Sequence, residues 1–388
     1  MNIALYIIKI KEPIVYQGEN AISVIPNLLV NKKVFIVTDA TIMKLGYLEQ
    51  LIKSLDNSKI SYIIYDKTLA DPSIFQIEEA LALYNKNNCT AIIAFGGGSP
   101  MDLAKATGAR VACPNKTIPK LKGVLKVRKK LPLLIAIPTT VGTGSEATVA
   151  AVVSNKDTKE KYAINDPVLI PKYAILDPKY VYNLPRNLIA STGMDALTHA
   201  IEAFLNKSNT KKTKEYSKEA VKIIFNQMFN AYNQNHDALK LMQLASYKAG
   251  VAFTRAYVGN VHAIAHTLGG FYNVAHGYAN AVILPHVLTY YGKKVYKKLA
   301  VLYDFANHEN ALKSNEEKAK ALIEWIYEIN GKMDIPLVLN NIIIEDDLKI
   351  MISRAYKEAN PLYPVPVIFS RNDFKNIYKI IDPKLLNN

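Results

Sequence analysis

The stretch AIIAFGGGSPMDLAKATGA, residues 91 to 109, starts as an unbroken apolar run, passes through three glycines and continues at helical spacing. A run apolar at every position suits a strand buried on both faces, and such strands belong to parallel sheets covered by helices. The glycines let the backbone approach a ligand closely. Ser99 is a good N-cap with Pro100 at the first helical position, and Asp102 is spaced to fold back onto the helix-start amides. Those amides and the positive end of the helix dipole form an anion site suited to a pyrophosphate. The spacing is not GxGxxG, so a tight turn without ligand is the competing reading.

The same texture extends outward. KVFIVTD (33 to 39), SYIIYD (61 to 66) and LLIAIPTT (133 to 140) are apolar runs ending in Asp or Thr. Between them TIMKLGYLEQLIKSL and FQIEEALALYNKN place apolar residues at helical spacing. This alternation predicts an α/β domain built on a doubly wound, mostly parallel sheet, with ligands outside the carboxyl ends of its strands. Hydroxyls and glycines crowd one such end in IPTTVGTGSEAT (137 to 148). Asp39 ends another, where a carboxylate can bond a ribose diol and repel a 2′-phosphate; a plain turn residue is the competing reading. After ILDPKYVYNLP the periodicity becomes helical throughout. The expected organisation is therefore an α/β domain over residues 1–183 and an all-helical domain over 184–388.

Composition narrows the functional classes. Half of the 388 residues are hydrophobic and 21% are charged, which is ordinary for a soluble chain of two domains. No apolar run approaches the roughly 18 residues of a membrane span, so no membrane partner is expected. MNIALYIIKIKEP has no basic leader or cleavage site and reads as an edge strand. Two cysteines, Cys89 and Cys113, define no disulfide framework, which fits a reducing, cytoplasmic setting. The net charge of +15 raises nucleic-acid binding as a rival class. The lysines are dispersed, however, and the one dense basic segment, KLKGVLKVRKK (120 to 130), carries no aromatics for stacking, so no nucleic-acid partner is expected.

The chemistry concentrates in the helical half. In GMDALTHAIEAF (193 to 204), Asp195 and His199 are one helical turn apart on one face. Three of the seven histidines, His262, His266 and His276, fall within VHAIAHTLGGFYNVAHG; Gly269 and Gly270 are expected to stop the first helix so that His276 returns on the next. N and O ligands without cysteine suit a divalent first-row metal such as Fe(II) or Zn(II). A lone histidine on an apolar helix is commonly a core residue, which is the reading for His286; His236 and His308 read as surface residues.

GGGSPMDLAKA, IPTTVGTGSEAT, GMDALTHAIEAF and HAIAHTLGGFYNVAHGYANAVILPHV, in this order, resemble the iron-containing (group III) alcohol dehydrogenase family. The resemblance covers essentially the whole chain, including NPLYPVP near its end. It implies a dehydroquinate synthase-like architecture, with Asp195, His199, His262 and His276 as metal ligands and His266 beside the site as the proton relay. It further implies that Gly97, Gly98 and Ser99, with Asp102, hold the pyrophosphate, that Thr139, Thr140 and Thr148 line the cofactor cleft, and that Lys161 reaches the nicotinamide-side ribose. Asp71 departs from the Asn that relatives often carry before proline at the adenine edge. The implied activity is hydride transfer between NAD, in preference to NADP, and a small alcohol or aldehyde held at Fe(II), with Zn(II) as a substitute ion. A homodimer or higher homo-oligomer is expected, with IALYIIKI as a shared edge strand. The alternatives are a glycerol dehydrogenase- or dehydroquinate synthase-like enzyme on the same fold, or an alcohol dehydrogenase module with a structural or interaction role.

Overall fold

The computed structural model describes residues 10–155, 158, 160–307, 314–339 and 341–386. They fall into two compact units, Ile10–Asn183 and the described residues from Leu184 onward.

The first unit carries the strands β1 (Ile14–Gln17), β2 (Val34–Val37), β3 (Tyr62–Tyr65), β4 (Ala91–Gly96), β5 (Gly123–Val124), β6 (Leu133–Pro138), β7 (Ala150–Asn155), β8 (Glu160–Asn165) and β9 (Tyr173–Leu176). Six of them form one sheet in the order β1-β9-β6-β4-β2-β3, with every neighbouring pair parallel. Successive side chains on a strand point to opposite faces, so an unbroken apolar run supplies two cores at once. Phe35, Val37, Ile92, Ala94, Leu134 and Ala136 pack on one face with Ile77, Ala80 and Tyr84 of the helix Ile74–Lys86 and Leu103 and Ala106 of the helix Gly98–Ala112. Val34, Ile36, Ile93, Phe95, Ile135 and Ile137 pack on the other with Leu51 and Leu55 of the helix Glu49–Asn57. The sheet is doubly wound and parallel, as the apolar runs require.

Two features depart from the sequence reading. A second sheet, β5-β8-β7, joins an antiparallel β7–β8 pair to the short β5 and was not anticipated. The expected shared strand at residues 3–10 lies almost entirely outside the described residues, and β1 occupies the edge of the six-stranded sheet.

The second unit is helical, with no strand among its described residues. Its central helix, Arg186–Leu205, buries all of its last thirteen residues, polar ones included. Lys211–Tyr232, His236–Ala256 and His276–Tyr291 pack against it, and Asn260–Tyr272 packs on His276–Tyr291 and Glu345–Ala359. Gly269 and Gly270 do not stop the His262 helix. It runs through both to Tyr272 and ends where Asn273 adopts the left-handed conformation, with φ of 54°. Asparagine tolerates that conformation because its short side chain bonds locally, so it does here what a terminal glycine ordinarily does. Among the described residues no helix is long and apolar enough to cross a membrane.

Candidate active site

Three helices of the second unit bring four sequence-predicted residues together. Asp195 and His199 come from Arg186–Leu205, His262 from Asn260–Tyr272, and His276 is the first residue of His276–Tyr291. One ligating atom from each lies within 4.8 Å of all the others. Asp195 Oδ1 is 3.5 Å from His276 Nε2, 3.9 Å from His262 Nε2 and 4.0 Å from His199 Nε2. Ligand atoms about 2.0–2.2 Å from one ion span separations of this size. Gly277 allows the approach: a Cβ there would lie 2.3 Å from the Ser191 carbonyl oxygen, so any side chain would push the His276 helix away from Asp195.

The surroundings fit a dication. Burial pushes the Asp195 and Glu202 carboxyls above the ordinary carboxylate range, a desolvation penalty that a dication beside them would offset. Burial, and then the neighbouring imidazoles His199, His276 and His266, hold His262 well below its usual range and hence neutral, the state in which imidazole binds metal. His262 Nδ1 lies 2.6 Å from Glu202 Oε2, which leaves Nε2 directed at the other ligands. His199 stacks on Phe253 with centroids 4.1 Å apart, which fixes its ring plane. Asn280 Nδ2 donates to Asp195 Oδ1 at 2.7 Å and lies 3.2 Å from both His262 Nε2 and His276 Nε2.

His266 lies beside this group, its ring stacked on His276 with centroids 5.1 Å apart. Its Nδ1 is 2.6 Å from Glu358 Oε1, and the Tyr363 hydroxyl donates to the same oxygen at 2.6 Å. His286 keeps a structural place, between the Leu337 carbonyl oxygen and the Tyr327 hydroxyl. His236 begins a helix, and His308 lies outside the described residues.

In the first unit the glycine turn opens the helix Gly98–Ala112, but Gly97 rather than Ser99 is its N-cap. Ser99 sits in the first turn, where its Oγ accepts from the Asp71 N–H at 3.3 Å. Asp102 does not fold back to the helix start; its Oδ1 accepts from Ser145 Oγ at 3.2 Å. The helix-start amides are therefore capped by neither side chain, because a glycine cap brings no oxygen of its own. Thr139 N–H donates to the Gly96 carbonyl at 3.1 Å, tying two strand ends together. Among the described residues Thr140 Oγ1 is buried with no hydrogen-bond partner, which suits a hydroxyl that bonds a ligand. Lys161 Nζ lies 2.5 Å from Asp71 Oδ2, so the residue that departs from the family pattern holds the lysine expected at the ribose. Asp39 caps the helix Ala40–Lys44, its Oδ1 accepting from Thr41 N–H at 2.9 Å and Ile42 N–H at 3.0 Å; Oδ2 takes no part in the cap.

Thr148 faces Lys105, a fully buried lysine that the sequence reading passed over. Lys105 Nζ donates to Ser145 O (2.6 Å), Ser145 Oγ (3.1 Å), Thr148 O (3.1 Å), Thr148 Oγ1 (2.8 Å) and Ala150 O (2.9 Å). Burial lowers its affinity for the proton, and the nearby Asp102 and Glu146 oppose that shift. Glu202, Asn280, Glu358 and Tyr363 were also passed over. The first two carried a usable signal, since each lies three or four residues beyond a ligand on the same helix face.

Comparison with known proteins agrees with this geometry. Residues 13–178 match the family model described as iron-containing alcohol dehydrogenase, and residues 189–381 match the C-terminal model of the same family. Alcohol dehydrogenase 4 of Saccharomyces cerevisiae is 35% identical over 375 residues, covering 95% of this chain and 96% of its own. The NAD-dependent methanol dehydrogenase of Bacillus methanolicus is 33% identical over 331 residues, covering 84% and 87%. The solved structure of an alcohol dehydrogenase from Oenococcus oeni superposes with a TM-score of 0.91 at 31% identity, over 96% of this chain and 99% of that one. Both family models are matched, and the Asp/His quartet falls within the second; the chain belongs to the iron-containing alcohol dehydrogenase family.

Proposed function

We propose that this oxidoreductase interconverts a small alcohol and its aldehyde, with NAD(H) as hydride carrier and the reacting oxygen held at Fe(II), or Zn(II) in its place. The observation that carries the reading is the convergence of Asp195, His199, His262 and His276, one ligating atom of each lying within 4.8 Å of all the others. When bound, the ion supplies Lewis acidity, which eases loss of the hydroxyl proton and polarises the carbonyl in the reverse direction.

The remaining work falls to side chains. Glu358 holds His266 at Nδ1, so Nε2 takes the alcohol proton and returns it during reduction. Tyr363 steadies Glu358 from the other side. In the first unit, Ile10–Asn183, the dinucleotide pyrophosphate lies on Gly97, Gly98 and Ser99 at the start of an uncapped helix, where orphan N–H groups and the dipole favour an anion. Asp102 and Thr148 shape that site through Lys105, Thr139 and Thr140 line it, Lys161 meets the nicotinamide-side ribose, and Asp39 receives the adenosine ribose and disfavours NADP. The second unit, residues 184–388, carries the metal and the alcohol. We further propose a cytoplasmic homodimer or higher homo-oligomer with no nucleic-acid or membrane partner; the family's small-molecule chemistry supports this.

The test is anaerobic reconstitution with Fe(II), with metal content and NADH-linked aldehyde reduction measured together. One ion per chain is expected, and His262→Ala should lose both metal and turnover while keeping its circular dichroism. Full turnover after exhaustive chelation would refute the reading.

A further inference from the structure

Asp195, His199, Glu202 and Asn206 follow one another at spacings of four, three and four residues, and so share one face of the helix Arg186–Leu205 and its C-cap. The first two belong to the proposed metal centre. The last two hold the segment that enters the His262 helix. Asn206, fully buried, donates through Nδ2 to three successive carbonyls: Ala256 at 2.9 Å, Tyr257 at 3.1 Å and Val258 at 2.9 Å. Tyr257, in their midst, has φ of 65° and ψ of 174°, a conformation that a side chain adopts only under surrounding constraint. Glu202, 4% exposed, takes over one residue later. Its Oε2 accepts from Gly259 N–H at 2.6 Å and its Oε1 from Val261 N–H at 2.8 Å, both at the start of the His262 helix. That helix has no side-chain cap of its own. A Cβ on Gly259 would lie 2.6 Å from Glu202 Oε1, so the carboxylate approaches as closely as it does only because the residue is glycine.

The same Oε2 lies 2.6 Å from His262 Nδ1. We propose that Glu202 is a positioning residue for the metal centre: it sets the start of the His262 helix and keeps the His262 proton on Nδ1, so that Nε2 stays bare and aimed at the ion. This rests on the metal reading above. One carboxylate thereby fixes the helix that brings the ligand and the tautomer in which the ligand binds, from the same face that supplies Asp195 and His199. Partners of this kind, behind a ligating imidazole, commonly change metal affinity by about 10- to 100-fold when removed.

The experiment uses the full-length protein loaded with Co(II), whose visible absorption reports ligand geometry. Release to excess EDTA is timed for the unmodified protein, Glu202→Gln, Glu202→Asp and Asn206→Ala. A glutamine keeps one acceptor but turns an NH2 toward the remaining donors. Glu202→Gln is therefore expected to shift the spectrum and release Co(II) about 10- to 100-fold faster. Glu202→Asp, which keeps the charge on a shorter arm, should fall between it and the unmodified protein. Asn206→Ala loosens the same connection without touching His262; it should lower the melting temperature and leave spectrum and release near the unmodified values. Equal release and spectra for Glu202→Gln and the unmodified protein would overturn the assignment, as would an Asn206→Ala protein that matches Glu202→Gln. If Glu202→Gln does not fold, Glu202→Asp decides, and release at the unmodified rate overturns the assignment. An unmodified protein that binds no Co(II) would instead refute the metal reading itself.

Discussion

Replacing Lys105 by methionine removes a buried charge and leaves most of its volume in place. Five oxygens surround the ammonium at 2.6 to 3.1 Å, three of them backbone carbonyls of Ser145, Thr148 and Ala150. A methionine fills the space, so the cavity term is small. The carbonyls lose their donor in a dry setting, at about 1–3 kcal/mol for each that finds no other. Asp102, whose carboxyl burial already pushes up, loses its attracting charge as well. Against this, the desolvation of the ammonium is relieved. Removing one partner of a buried ion pair costs about 3–5 kcal/mol on balance, and for a unit of this size that is a fall of about 6–20 °C in melting temperature. Because Lys105 holds the Ser145–Ala150 segment, the apparent KM for NADH should rise while kcat at saturating NADH changes little, the signature of lost uniform binding. Urea titration and initial rates on the same preparation check both. Adding Asp102→Asn should restore part of the stability, since the orphaned charge is then gone. A Lys105→Met protein as stable as its parent, or a double variant worse than the sum of the singles, would refute the reasoning.

Two further outcomes follow from the first unit. Asp39→Gly keeps a tolerable cap, at a cost of a few tenths of a kcal/mol. It should raise kcat/KM for NADPH over NADH about 10- to 100-fold, as expected from removing a like-charge contact of about 1–3 kcal/mol; an unmoved ratio would leave Asp39 as a cap alone. Glu146 is buried, and burial pushes its carboxyl up to about 7 from an ordinary 4.5. Its raised value in the folded state means that the stabilising contribution is full below about pH 4.5 and is lost as pH rises through about 7. At about 1.36 kcal/mol per pH unit across that interval, Glu146→Gln should be more stable than its parent by about 3 kcal/mol at pH 8 and indistinguishable below pH 4.5. Urea midpoints measured across that range check it, and a pH-independent difference would count against it.

The sequence alone determined what local pattern can express. Buried parallel strands are apolar on both faces, so β2, β3, β4 and β6 stood out as unbroken runs, each ending within a few residues of its observed limit. Asp195 with His199, and His262 with His266, were legible because helical spacing puts residues four apart on one face. Tertiary structure decided what depends on partners distant in the chain. It set the order of the strands, and it showed that β7 and β8 pair as a separate sheet. It capped the glycine turn at Gly97 and turned Ser99 and Asp102 toward Asp71 and Ser145, because a side chain bonds to whatever the packed neighbours offer first. Among the histidines, spacing could not rank His266 against His276. The fold separates them: the turn at Asn273 carries His276 into the group around Asp195, while Glu358, 92 residues beyond His266, draws its ring aside. Lys105 was invisible for the same reason, and the spacing of Glu202 three residues beyond His199 marked its helix face but not its partners. A buried charge is tolerable only where several donors or acceptors converge on it, and those around Lys105 and Glu202 come from segments 40 to 60 residues away.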